Sequence, residues 1–142
     1  MILNAGVQRG HNFADPSSIN LDQINQEVTI NYLAYVHLTT AFLPHLQALS
    51  KKQPAGLVFT SSGLGLLPLI RASNYSATKA ALHHWSMCLR EQLKDDEGSD
   101  VKVVEILPPA VQTELHDEKH QPDMKNGREL GMPLDEFVEG AW

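Results

Sequence analysis

The segment Gly56-Leu57-Val58-Phe59-Thr60-Ser61 constrains the fold most. It is β-favouring and lacks polar alternation, the pattern of a strand covered on both faces, and such strands belong to parallel sheets. A parallel sheet needs long crossovers, usually helical, and this chain has two stretches that fit. The first opens at Asn20, which with Gln23 makes a capping-box start, and runs to about Ser50. Leu21, Ile24, Val28, Tyr35, Leu38, Phe42 and Leu46 form its apolar stripe at three- and four-residue spacing, and Pro44 is expected to kink the last turns. The second covers about Tyr75–Leu93, with Ala81, Leu82, Trp85, Leu89 and Leu93 on its apolar side, and the polar run Asp95–Asp100 ends it.

Two further strands complete the pattern. Met1–Leu3 closes at Asn4-Ala5-Gly6, and Val101–Ile106 ends at Leu107-Pro108-Pro109, where proline offers no donor to a ladder. Gln8–Ser18 and the turn-rich Ser62–Asn74 read as connections. Val111–Met132 is a polar, irregular and mobile loop, and Pro133-Leu134-Asp135-Glu136-Phe137 starts a last helix with acids in its first turn. The alternation of strands and helices is that of an α/β layer.

The 142 residues suit one domain. Eleven Lys and Arg against 17 Asp and Glu give a net charge of −6 with the basic residues scattered, which excludes a nucleic-acid surface. A lone cysteine, Cys88, makes no internal disulfide and reads as a small buried side chain. No membrane span or signal peptide is visible, so a cytoplasmic location is expected.

The chemistry concentrates in Ser61-Ser62-Gly63-Leu64-Gly65 and Asn74-Tyr75-Ser76-Ala77-Thr78-Lys79. Tyr75 and Lys79, four apart at a helix start, share one face about 6 Å apart along the axis. Bringing a phenol from about 10 to about 7 takes roughly 4 kcal/mol. An ammonium at ~4 Å and an effective dielectric of ~20 supplies that much. Lys79 is therefore expected to lower the Tyr75 pKa enough to make it a proton donor and acceptor, with Ser62, at the end of the central strand, polarising a carbonyl beside it.

The order of these features resembles the short-chain dehydrogenase/reductase family: a strand-end Asn4-Ala5-Gly6, a helix Asn31, a strand-end Ser62, Tyr75-x-x-x-Lys79, and Pro108-Pro109-Ala110-Val111-Gln112-Thr113 after the next strand. The resemblance spans nearly the whole chain. It implies strands four, five and six of a doubly wound Rossmann-like parallel sheet, a single but incomplete domain over 1–142 that is the catalytic half of the fold. It also implies hydride transfer between NAD(P)(H), NADP favoured, and a small-molecule carbonyl or secondary alcohol. By the same resemblance Tyr75 is the acid/base and Ser62 steadies the substrate oxygen. Lys79 lowers the tyrosine pKa and holds the nicotinamide ribose, while Asn31 keeps a relay water. Asn4, Tyr75, Lys79, Val111 and Thr113 make the cofactor site, and the two long helices pair between subunits of a homo-oligomer.

The chain departs from the family at Pro109, where the family has glycine, and in lacking the Thr-Gly-x-x-x-Gly-x-Gly turn that receives the pyrophosphate. Weak or absent dinucleotide binding and an exposed Met1–Leu3 edge are expected from that. The alternative function is a non-catalytic interaction module that pairs through the long helices. No metal site is expected: His116 and His120, four apart, lack a third ligand and read as solvated loop residues, and His83-His84-Trp85 reads as packing. The sequon Asn74-Tyr75-Ser76 coincides with the Tyr75 motif, and without a signal peptide it is not expected to carry glycan.

Overall fold

The computed structural model describes residues 1–94 and 98–141. The first three residues of the helix-ending run Asp95–Asp100 therefore lie outside the described residues. Three parallel strands, β1 (Ile2–Leu3), β2 (Ala55–Thr60) and β3 (Val101–Ile106), form a sheet in the order β1-β2-β3. Their crossovers are α1 (Leu21–Val28) running through a π turn (Thr29–Leu33) into α2 (Ala34–Ser50), and α3 (Ser73–Lys94); α4 (Leu134–Ala141) follows the last loop. This is the α/β, Rossmann-like arrangement expected of family strands four to six.

Leu57 and Phe59 on β2 and Val101 and Val103 on β3 point to the helix side and meet Tyr35, Leu46, Leu82, Leu89 and Leu93. Phe59 stacks between Tyr35, 6.0 Å away, and Trp85, 5.5 Å away, centroid to centroid. The opposite face differs from expectation. Ile2, Val58 and Val104 stand in one register row across the sheet, with Ile2 and Val104 exposed and Val58 half-buried. The central strand is therefore covered by helices on one face of the described chain rather than on both, because both crossovers pack on the same side.

The first crossover also corrects the sequence reading. Asn20 caps α1 as expected, its Oδ1 accepting from the amides of Asp22 and Gln23 at 3.0 and 3.1 Å, and the helix continues through Pro44 to Ser50. Of the expected stripe, Tyr35 and Leu46 are buried, whereas Leu21, Leu38 and Phe42 are exposed. The buried line is Glu27, Asn31, Tyr35 and Thr39, a strict four-residue repeat. A π turn holds more residues per turn than the α-helix, so it rotates the inward face away from the 3.6-residue pattern. On α3, Ala81 and Cys88 face outward, not into the core. Leu82, Ser86, Leu89 and Leu93 hold the inner line, Leu82 and Leu89 being one residue on from Ala81 and Cys88.

The Val111–Met132 loop is pinned at its neck and is not a free excursion. Val111 bridges Met132, with Gln112 N donating to Met132 O and Met132 N to Ala110 O, each 3.0 Å. Gly131 makes this possible: its φ is +92°, and a Cβ would lie 2.0 Å from Ala110 O.

The register of α3 is open to test. Leu82→Ala is expected to cost about 2–5 kcal/mol by the usual cavity arithmetic, and Ala81→Ser less than about 0.5 kcal/mol, both measured by urea unfolding. Comparable losses would mean that α3 is rotated from the register described.

Candidate active site

Parallel pairing brings the carboxyl ends of β1, β2 and β3 to one edge, and a cavity of about 780 Å³ opens there. Its lining includes Asn4, Ser62, Tyr75, Lys79, Val111 and Thr113, six of the seven residues singled out from sequence. Asn31 is absent from the lining and lies just behind it: a Cβ on the lining residue Gly6 would sit 3.5 Å from Asn31 Oδ1 and 3.6 Å from Lys79 Nζ.

Each side chain is held by the local fold. Ser62 ends β2 in extended conformation and caps the short 3-10 turn Gly63–Gly65, its Oγ accepting from Leu64 N at 3.1 Å. That turn lies on the backbone of α3 beside Lys79, where a Cβ on Gly65 would come within 3.0 Å of the Lys79 carbonyl. The glycine thus lets the Ser62 turn approach the helix that carries Tyr75. Lys79 Nζ donates to Thr60 O at 2.9 Å and lies between two rings, 5.6 Å from the Tyr35 centroid and 5.7 Å from that of Tyr75. Tyr35 OH donates to Ala5 O at 2.9 Å and also reaches Thr60 O at 3.3 Å. Asn31 makes a reciprocal pair with the Val7 peptide, accepting from its N at 2.9 Å and donating to its O at 2.8 Å. Its second amide hydrogen goes to Thr78 Oγ1 at 3.1 Å, so the side chain has none left for a water.

The electrostatics differ from the sequence expectation. Burial pushes the Tyr75 phenol above its ordinary value, the hydrogen bond with Ser62 pulls it down, and Glu27 adds a further push upward. Burial lowers the Lys79 ammonium to about 8, with Glu105 opposing. Desolvation outweighs the lowering expected from Lys79, so the phenol is raised rather than lowered. Tyr75 is thus a protonated phenol at neutral pH.

The rest of the lining is largely apolar, with Leu64, Leu69, Leu115, Met124, Leu130 and Phe137 among its residues beside Gln8, Arg71, His116 and Asp123. The sequence reading did not find the polar network at its edge. Arg71 binds Asp123 through Nε and a terminal nitrogen, both 2.6 Å, and Gln121 Oε1 at 2.7 Å. Gln121, fully buried, donates to Leu115 O at 2.6 Å and Gln8 Oε1 at 3.1 Å, and its Nε2 lies 3.4 Å from His116 Nδ1. His116 is consequently buried rather than solvated, its imidazole held below its ordinary pKa by desolvation and by the Arg71 charge. The Arg71 hydrogen bonds hold the Asp123 carboxyl below the usual carboxylate range. One signal was present: Arg71 stands four residues before Tyr75, one helical turn away.

The wall around Ser62 suits a polar ligand. Ser61 Oγ is buried there without a hydrogen-bond partner, beside Asn4, Thr60 and Thr113. A polar lining with an unpartnered buried hydroxyl fits the nicotinamide and ribose end of a dinucleotide.

The chain belongs to the short-chain dehydrogenase family, whose pattern it matches over residues 1–123. It is 37% identical over 140 residues to an uncharacterized oxidoreductase, DltE, of Bacillus subtilis, spanning 98% of this chain and 52% of that one. It is also 37% identical over 115 residues to mouse estradiol 17-beta-dehydrogenase 2, spanning 81% of this chain and 28% of the relative. A short-chain dehydrogenase from Sphingobium yanoikuyae, solved with NADPH, superposes with a TM-score of 0.81 at 26% identity, over 99% of this chain and 50% of that one. The chain spans about half the length of such relatives or less. No described helix is long and apolar enough to cross a membrane.

Lys79 carries a stability cost that can be measured. A lysine whose pKa falls on folding binds its proton less tightly in the native chain than in the unfolded one. It therefore destabilises the fold below about 8, and that cost disappears as pH rises from about 8 to 10.5. Lys79→Met is expected to raise unfolding free energy at pH 7 by up to about 3 kcal/mol, less what is lost at Thr60 O, where the Tyr35 hydroxyl is a longer contact at 3.3 Å. The gain should shrink towards pH 10.5 in parallel denaturation curves; a variant less stable than the native chain at pH 7 contradicts this account.

Proposed function

We propose that this chain is the catalytic half of an NAD(P)(H)-dependent oxidoreductase that interconverts a carbonyl compound and a secondary alcohol, with Tyr75 as acid/base. The observation that carries the reading is the convergence of Ser62, Tyr75 and Lys79 on the lining of one cavity, with Lys79 Nζ 5.7 Å from the Tyr75 ring centroid. A bound nicotinamide would supply the hydride to the carbonyl carbon. On the protein side, Tyr75 gives its phenolic proton to the carbonyl oxygen as that oxygen takes on charge, and the raised pKa favours this donor form. Ser62 donates a second hydrogen bond to the same oxygen. Lys79, 5.7 Å from the Tyr75 ring centroid, stabilises the phenolate left behind and holds the ribose. In this reading Asn31 keeps the relay water, its amide hydrogens being taken by Val7 O and Thr78 Oγ1. NADP(H) is the favoured cofactor, in keeping with the NADPH held by the Sphingobium relative. Asn4, Val111 and Thr113 complete its site in this reading.

The apolar wall supports a substrate with a hydrophobic body. Arg71 does not contradict this, since Asp123 and Gln121 already take its donors. The same direction is given by the names of relatives, which include an 11-beta-hydroxysteroid dehydrogenase-like protein of Arabidopsis thaliana and a very-long-chain 3-oxoacyl-CoA reductase of Neurospora crassa. The acidic charge and lone cysteine favour the cytosol. A second reading, a pairing module, draws on the exposed Leu38 and Phe42 of α2 and Met87 of α3; the same surface would serve a homo-oligomer of an active enzyme.

The test is NADPH oxidation, followed at 340 nm, with methyl ketones of increasing chain length. At NADPH concentrations high enough to offset the weak binding expected from the sequence, turnover is expected, with kcat/KM rising along the series and Tyr75→Phe lowering kcat by about 10²–10⁴-fold. No turnover by a chain that sediments as a dimer would favour the pairing module instead.

A further inference from the structure

Glu27 is a fully buried carboxylate to which the family pattern gives no role. Burying a carboxylate is costly unless hydrogen bonds compensate. Here Arg9 N donates to Oε1 at 3.0 Å and Asn74 Nδ2 to Oε2 at 2.6 Å. His11 Nε2, buried and otherwise unpartnered, stands 3.6 Å from Oε2. The contact with Asn74 is short and charge-assisted, the stronger kind of hydrogen bond.

Its place in the fold gives the contact a purpose. Glu27 and Asn31 are four residues apart on the first crossover helix, and Asn74 and Thr78 are four apart on α3. Glu27 bonds Asn74 and Asn31 bonds Thr78, while the backbone of Arg9 and Val7 is clasped by the same two side chains. Tyr75 and Lys79 are the residues that follow Asn74 and Thr78. Successive helical residues turn about 100°, so two rungs on one face fix where the next face points.

We propose that Glu27 is a positioning residue for Tyr75, setting through Asn74 the rotation of α3 that aims the phenol into the cavity. The proposal rests on Tyr75 being the proton donor, as read above. The Glu27 carboxylate also acts on the phenol through space, adding to the effect of burial. Tyr75 is faced besides by Ser62, Lys79 and Tyr35, and Glu27 by His11.

The three tyrosines allow a test without turnover. Phenolate absorbance is titrated in the 142-residue chain, with Tyr75→Phe identifying the Tyr75 transition. Glu27→Gln is expected to lower that midpoint, because it removes a negative charge that opposes the phenolate. It is also expected to move the Tyr75 ring resonances in NMR spectra. Asn74→Ala, a milder change at a half-buried position, is expected to move the same resonances while the carboxylate stays in place. An unchanged midpoint in Glu27→Gln, or unmoved resonances in Asn74→Ala, overturns the proposal. A shifted midpoint in a chain that oxidises no NADPH with any ketone leaves the positioning role standing and overturns the enzyme reading instead.

Discussion

The carbonyl of Thr60 is the point on which the site hangs. It closes β2, the strand that carries Leu57 and Phe59 into the core, and it accepts both the Lys79 ammonium and the Tyr35 hydroxyl. One acceptor thereby ties the end of the sheet to both crossover helices. The parallel pairing of β2 with β1 and β3 brings Asn4 and Val111 to the same edge. Remove that acceptor and the ammonium between the two tyrosine rings would be a buried charge without a hydrogen-bond partner among the described residues, a state that costs several kcal/mol per ion.

Much of this was legible in the sequence because it is local. The three strands, the Asn20 cap, the helix of Tyr75 and Lys79, and the strand-end position of Ser62 each follow from a few neighbouring residues. The misreadings share a cause: they needed tertiary information. A 3.6-residue stripe placed Leu38 and Phe42 inside, but the π turn that hands the interior to Asn31 and Thr39 is invisible to hydrophobic periodicity. Cys88 was judged by type, whereas its position on the outer side of α3 decided its exposure. The Tyr75–Lys79 electrostatics came from spacing alone, and spacing says nothing of the desolvation that raises the phenol.

The loop over residues 111–132 shows the same limit. Gln8 and Gln121 are 113 residues apart, yet their amides meet in a buried network that also takes in His116 and Arg71. Glutamines carry no motif, and His116 in a polar run reads as solvated until the loop folds over it, whereas His120 is exposed as expected. A buried polar network with its members satisfied specifies one arrangement more sharply than apolar contacts do. Here that arrangement closes residues 111–132 over the cavity and sets its apolar wall.

Polar groups thus occupy places that an apolar core would otherwise fill. Glu27, Asn31, Thr39, Lys79 and Ser86 are all buried, in a described chain whose sheet is covered by helices on one face. Each gives up the stabilisation that an apolar side chain would bring there, and most are compensated by specific hydrogen bonds rather than by packing. That pattern is expected where selection acts on the placement of reactive groups: stability is spent locally so that the phenol, the ammonium and the serine hydroxyl meet at one strand end. The apolar core formed by Leu57, Phe59, Leu82 and Trp85 is what makes the expenditure sustainable, and it lies directly beneath the residues that need it.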